Sequence, residues 1–254
     1  MTITLIIPFY NAEKWLDRCL DSVAEQSRPF DEVILVDDGS TDKSANIASK
    51  QFFESWQLYE NAKNYGVSYS RNRGLKAIKT DYATFLDADD ELALDACEKM
   101  HRAIEQNSEA NIIQFNHWRK YANSEQLRMK HFQEAGSCSV EDLPERPLAW
   151  YAVWNKIYRT EFLRKHDFRF DESMEWGEDE LFNLQAIIAN GGVVCKKEST
   201  CIRHFDNSQS LNHIYRDSEH AGVLIKKLEK IKKMSPALIE QRINELKEVQ
   251  KELA

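Results

Sequence analysis

From residue 2 to residue 86 the chain alternates short apolar runs with amphipathic ones, and turns rich in acids or small polar residues separate many of them. Residues 2–9 read as a buried strand, after which Trp15, Leu16, Cys19, Leu20 and Val23 recur at helical spacing. Residues 32–36 form a second apolar strand closed by Asp37, Asp38, Gly39 and Ser40, and Ser40 or Thr41 then caps a helix reaching about residue 53. Residues 56–60, 67–79 and 82–86 continue as strand, helix and strand. This β-α-β-α-β-α-β order predicts an α/β fold with a mainly parallel sheet flanked by helices. Such sheets bind ligands at the carboxyl ends of their strands. Two of these ends carry acids, at Asp37/Asp38 and at Asp87/Asp89.

Residues 95–106 read as a helix, and then the pattern changes. Residues 111–118 and 126–133 predict long strands around a polar turn at 121–125, and Pro144 and Pro147 mark an irregular connection. Trp150, Tyr151 and Trp154 lead into the stretch NKIYRTEFL at 155–163. A helix is predicted over 179–189 and strand-like sequence over 193–205. From His213 the chain is helical and highly charged, broken once at Pro236. The expected organisation is one α/β domain over 1–212, in halves of about 1–110 and 111–212, followed by a helical tail over 213–254.

A formal charge of −8 argues against nucleic acid as a partner, because duplex affinity rests on a basic surface. An acidic chain that binds a polyanion needs a local device, such as a metal ion. The five cysteines are scattered without a C-x-x-C pair and read as reduced thiols of a cytosolic protein. The start, MTITLIIPFYN, lacks a basic leader region, and no stretch approaches 18 apolar residues. The expectation is a soluble, cytoplasmic protein.

Four of the five residues at 87–91 are acids: Asp87, Asp89, Asp90 and Glu91. A helix-loop-helix Ca²⁺ loop fits the spacing of Asp87, Asp89, Glu91, Asp95 and Glu98, but Leu92 stands where the sharp turn needs glycine. A phosphatase-type strand-D-x-D would make Asp87 a phosphoryl nucleophile. That motif usually has a small hydroxyl or apolar residue where Asp90 stands and lies on the first strand. A bland reading seats the acids in the first turns of a helix, which accounts for Asp90 and Glu91 but not Asp87. The fourth reading is a D-x-D site in which carboxylates hold Mg²⁺ or Mn²⁺ against a substrate diphosphate.

The D-x-D gains force from its company: IPFYN at 7–11, LVDDGSTD at 35–42, NYGVSYSRNRGL at 64–75, FLDADD at 85–90 and WGEDELFN at 176–183. In this order the set resembles the family 2 glycosyltransferases of the GT-A fold, over residues 1 to about 210. The resemblance implies a nucleotide-binding first half and an acceptor-binding second half. It implies that Pro8 and Tyr10 lie against the base, that Asp38 reads uracil N3–H and that Arg71 lies near base and phosphates. Asp87, with Ala88, falls at the ribose and metal shell, and Asp89 at the direct metal ligand. Asp179 matches the general base on the acceptor hydroxyl, with Glu178 or Glu180 as alternatives. A late histidine, here His204, completes the metal shell in some GT-A enzymes or touches the diphosphate, and is otherwise structural. Arg203, Ser208 and Ser210 are further phosphate candidates. Trp150, Trp154 and Trp176 are core residues or aromatic faces for an acceptor sugar.

The tail carries KKLEKIKK at 226–233. Its readings are a solvated helical face, a peripheral contact at the inner face of the membrane, or a dimer-forming coiled coil. The resulting expectation is a metal-dependent inverting glycosyltransferase that takes a nucleotide-sugar donor, UDP-linked by preference. Its acceptor would be an oligosaccharide or lipid-linked glycan of the lipopolysaccharide or capsule kind. The rivals are a strand-D-x-D phosphoryl-transfer enzyme and a non-catalytic Ca²⁺- or glycan-binding module.

Overall fold

The first three strands are β1 (Ile3–Phe9), β2 (Glu32–Asp37) and β3 (Trp56–Glu60), interleaved with α1 (Leu16–Ala24) and α2 (Ser44–Lys50). Then come α3 (Val67–Ala77), β4 (Tyr82–Phe85), β5 (Glu91–Leu92), α4 (Ala96–Gln106), β6 (Ile112–Tyr121), β7 (Arg128–Lys130) and β8 (Gly136–Ser139). The chain continues through β9 (Lys156–Arg159), α5 (Thr160–Lys165), α6 (Glu178–Asn190), β10 (Gly192–Phe205), α7 (Ser218–Ile231) and α8 (Pro236–Glu252). This computed structural model describes residues 1–50, 53–121, 128–130, 135–140, 152–205 and 218–252. The expected turn at 121–125 beyond Tyr121, most of the strand at 126–133, Pro144, Pro147, Trp150, Tyr151, Ser208, Ser210 and the boundary at 212/213 lie outside them.

The strands form one mixed sheet in the order β3-β2-β1-β4-β9-β6-β10-β5, with β7 paired to β6 and β8 to β10. β1, β2 and β4 are parallel neighbours, fully buried, which is why they read as continuous apolar runs rather than alternating ones. The register Phe9↔Asp37 brings the carboxyl ends of β1 and β2 together, and β4 ends beside them.

Three departures from the sequence reading have physical causes. The helix expected from residue 41 begins at Ser44, because Asn11 Oδ1 takes the Thr41 N–H (2.8 Å) and Asp37 Oδ1 takes the Ser40 N–H (2.9 Å). The cap is Asp42, whose Oδ1 accepts the Ser44 N–H at 2.9 Å. Glu91 and Leu92 belong to no helix; they form β5, antiparallel to β10 at Ile202 and Cys201. That removes both the helix-first-turn reading of the acids and the helix-loop-helix Ca²⁺ reading. Finally, Lys156–Arg159 is an unpredicted strand, β9, inserted antiparallel between β4 and β6.

Two apolar clusters cover the two faces of the sheet. One packs α1 and α4 against β1, β2 and β6 through residues such as Leu16, Leu20, Cys97 and Met100. The other joins β1, β2 and β4 to α6, and also to the tail through Leu224, Leu228, Ile239 and Ile243. The C-terminal helices thus share the core of the preceding domain. All five cysteines are free and buried. No helix among the described residues is long and apolar enough to cross a membrane.

Candidate functional site

The loop after β1 and the loop after β2 are knitted to each other. Asn11 adopts the left-handed conformation (φ 48), and its N–H donates to Ser40 Oγ at 3.0 Å. Gly39 has φ 74, and a Cβ there would lie 2.5 Å from the backbone of Lys63, so only glycine lets the loop after β2 approach the loop after β3. Asp38 is nearly inaccessible. Its Oδ1 accepts from Asn61 Nδ2 (2.8 Å) and Tyr65 N–H (3.0 Å), and its Oδ2 from Gly66 N–H (2.7 Å). It therefore pins the loop that starts α3, a task the sequence did not suggest. Any contact to a base has to use a remaining lone pair. Pro8 is buried in β1, while Tyr10 is 44% exposed beside these loops. Tyr65, 44% exposed and stacked on Tyr69 at 4.6 Å, offers a second aromatic face that the sequence reading did not single out.

At the end of β4 the oxygens of Asp87, Asp89 and Asp90 all lie within 4.8 Å of one another. Asp87 and Asp89 are half-buried, and Ala88 and Asp90 are buried. The loop's backbone is held from α1: Arg18 donates to the Asp89 carbonyl at 2.8 Å and lies 3.2 Å from Glu91. Burial, and then the Asp89 charge, push the Asp90 carboxyl well above its usual range. Asp90 Oδ1 accepts the His204 N–H at 2.8 Å. The His204 ring faces Glu91, with Nε2 2.6 Å from Oε1. The histidine expected in the metal shell is thus the inner partner of Glu91, which it helps to hold below the usual carboxylate range.

Arg71 links this cluster to the start of α6. Its guanidinium is buried over the Phe170 ring (5.3 Å), donates to Asp87 Oδ1 at 2.9 Å and to Glu178 Oε1 at 2.6 Å. Burial alone would lower its pKa, but Asp87 and Glu178 outweigh that and raise it, so it is a fixed cation. Of the three acids opening α6, Glu178 pairs with Arg71 and Glu180 with Arg242 of α8. Asp179 makes no ion pair within 4 Å among the described residues. It is half-buried. Burial and the Glu178 charge raise its pKa to about 8 against the opposing pull of Arg71, and Asp87 and Glu180 add to the rise. Nearby, Lys156 is fully buried, with Nζ 2.6 Å from the Ala152 carbonyl and 3.0 Å from Asn155 Oδ1. Burial depresses its pKa to about 7.

Trp154 is 3% exposed, T-shaped against the His117 ring (4.7 Å between centroids), with the guanidinium of Arg203 above it at 5.3 Å. It is a wall residue of the core and offers no open face. Trp176 is half-buried and packs against the apolar cluster that α6 and the tail share with the sheet. The structure thus brings Asp87, Asp89, Arg71, Glu178 and Asp179 into one charged network. Arg18, Arg242 and the bond from the His204 N–H to Asp90 were missed, since each depends on a contact distant in sequence.

Solved structures share this architecture. Staphylococcus aureus TarS (residues 1–349) in complex with UDP-GlcNAc superposes with a TM-score of 0.79 at 23% identity, over 97% of this chain and 71% of that one. The mannosyltransferase PcManGT of Pyrobaculum calidifontis, in complex with GDP-Man and Mn²⁺, gives 0.67 at 15% identity, over 95% of this chain and 68% of that one. Both likenesses show the GT-A-type fold. In sequence, glycosyltransferase GlyA of Streptococcus pneumoniae is 30% identical over 213 residues, covering 78% of this chain and 30% of that protein. TarS, a poly(ribitol-phosphate) β-N-acetylglucosaminyltransferase, is 30% identical over 201 residues, covering 74% of this chain and 33% of its own length. The chain spans about half or less of the length of the curated relatives it matches. The model of glycosyl transferase family 2 matches residues 4–174, from β1 to just before the turn that carries Asp179, and the chain belongs to that family.

Proposed function

We propose that this protein transfers a sugar from a nucleotide-diphosphate sugar to an acceptor hydroxyl, with inversion at the anomeric carbon. The observation that carries the reading is the joint made by Arg71, which ties the acids at the end of β4 to the acidic turn that opens α6. A donor-side carboxylate cluster and an acceptor-side base are the two parts this chemistry needs. UDP is the favoured nucleotide, supported by the UDP-GlcNAc complex of the TarS neighbour. Two relatives are named for teichoic acid poly(glycerol phosphate) and for poly(ribitol-phosphate), neither for lipopolysaccharide or capsule. We therefore assign the broader class, a hydroxyl of a surface glycan or polyol-phosphate chain.

Asp89 and Asp87 would hold a divalent ion; their all-oxygen donor set suits Mn²⁺ or Mg²⁺. Asp90 is the poorest donor of the three, being buried, inclined to protonation and bonded to the His204 N–H. When bound, the ion offsets the charge that the diphosphate gains as it leaves. The chain's own residues do the rest. Tyr10 and the Asp38-pinned loop border the base; Arg71 holds Asp87 in place. Asp179, whose raised pKa suits proton uptake near neutrality, takes the proton of the attacking hydroxyl. Residues 1–110 serve the donor and 111–212 the acceptor. Calorimetric titration with UDP, with and without Mn²⁺, tests this. UDP and metal should each tighten the other's binding. Metal binding indifferent to UDP would overturn the donor-site reading, and phosphatase activity without a sugar donor would favour the phosphoryl-transfer reading.

A further inference from the structure

The tail helices lie beyond the family-matched residues, yet they reach the turn that carries Asp179. Arg242 of α8 forms a two-pronged ion pair with Glu180 across 62 positions of sequence, its Nε 2.5 Å from Oε1 and an Nη 3.0 Å from Oε2. Glu180 is 4% exposed and Arg242 17%. A third contact, from Arg242 to Glu245 at 2.9 Å, fixes the guanidinium against its own helix. From α7, Leu224 closes on Gly177, where a Cβ would lie 2.9 Å from Leu224 Cδ2. Gly177 itself needs its left-handed backbone (φ 79).

The pair is not needed to attach the tail, since Leu224, Leu228, Ile239, Ile243 and Leu246 already bury an apolar seam. A buried ion pair is a weak stabiliser beside apolar packing, but it demands one orientation. Resting on the reading of Asp179 as the base, we propose that Arg242 is a positioning residue: by gripping Glu180 it fixes the first turn of α6 and leaves Asp179 as the acid that accepts the proton.

The charges facing Asp179 set what the loss of Arg242 would do. They are Glu178 and Glu180 on α6, Arg71 on α3, Asp87 after β4, and Lys156 and Tyr158 on β9. Behind Glu180 stand Arg242 and Glu245 on α8. Without Arg242, Glu180 and Asp179 become adjacent carboxyls competing for one proton, with only Glu178 neutralised by Arg71. Ionising Asp179 fully then takes a higher pH.

The test is a carboxyl-¹³C NMR titration of Asp179, assigned with Asp179→Asn, in wild type, Arg242→Gln, Arg242→Lys and Arg242→Gln/Glu180→Gln. In parallel, pH–rate profiles are read as UDP release from UDP-GlcNAc with water as acceptor. Arg242→Gln should move the Asp179 midpoint and the acid limb of the rate to higher pH. UDP affinity should stay within about twofold, and the rate near neutrality should fall about tenfold, one pH unit of limb shift. Arg242→Lys, a point charge without the fork, should recover part of this. The double variant removes the competition and should return the midpoint towards wild type, even if it melts lower. A folded Arg242→Gln with an unmoved midpoint and limb overturns the proposal, as does a double variant indistinguishable from the single one. If Arg242→Gln does not fold, the lysine and double variants carry the same comparison. Wild-type turnover in Asp179→Asn would instead sink the base assignment. An inactive Asp179→Asn beside an unaffected Arg242→Gln would sink only this inference.

Discussion

Replacing Arg71 by glutamine strikes the joint between the two acidic groups. The side chain is 5% exposed and holds Asp87, 29% exposed, and Glu178, 8% exposed. Glutamine keeps a donor but no charge, so Glu178 is left ionised in a dry site or has to take up a proton. Removing one partner of a buried pair costs about 3–5 kcal/mol. Asp87 keeps part of its hydration, so its loss adds little to that figure. At about 2–4 °C per kcal/mol for a chain of this size, the melting temperature should fall by about 6–20 °C. Thermal denaturation followed by circular dichroism measures it without donor or acceptor. Arg71→Gln/Glu178→Gln should recover most of the loss, because the stranded charge is gone. A single variant that melts with wild type but binds UDP more weakly would refute the bridge. Arg71 would then serve the phosphates, as the sequence resemblance implies.

Asp89→Ala should abolish transfer and weaken UDP binding only when Mn²⁺ is present; full activity with EDTA-sensitive turnover would move the metal site elsewhere. Asp38→Ala should weaken uridine as well as UDP, because the change frees the Tyr65 and Gly66 N–H groups and loosens the loop beside the base; calorimetry with uridine checks this, and an unchanged affinity removes support for the UDP preference. Asp179→Asn should leave UDP affinity near wild type and lower kcat by roughly two to four orders of magnitude, the usual worth of a positioned base. A carboxyl whose folded pKa is raised contributes stability at low pH that is lost as pH rises towards about 8. The melting temperature of Asp179→Asn relative to wild type should therefore climb from pH 4 to pH 8; a pH-independent difference would mean Asp179 is not held in a charge-averse site.

Parallel strands buried on both faces announce themselves as apolar runs, and β1, β2 and β4 were legible for that reason. β5 and β9 were not. A two-residue strand has no period, and β9 begins with Lys156, a fully buried amine that looks like a surface residue in sequence. The clustering of Asp87 and Asp89 at the end of β4 was legible because their motif places both acids at a strand end. The roles of Arg71, His204 and Arg242 were not, since each depends on a partner more than 60 residues away or on an antiparallel pairing with β5. Asp38 shows the opposite limit. Its motif was visible, but the three N–H groups that occupy its oxygens arrive only when the loop folds back.

The distribution of partners among the acids separates scaffold from chemistry more sharply than the motifs do. Glu178 has Arg71, Glu180 has Arg242, and Glu91 has Arg18 and His204. Each of those carboxylates is anchored by a cation from another element, which fixes its direction and removes its field from the site. Among the described residues Asp179 stands between two such anchored neighbours with none of its own, and burial makes its ionised form a stronger base than an ordinary aspartate. An acid of this kind is costly to keep in a fold and is stabilised only by what it later accepts. Glu180, one residue on, shares the same helix dipole but is more deeply buried and has a committed arginine, which holds its carboxylate in an ion pair. Position in the turn alone would not distinguish the two; the tail helix does.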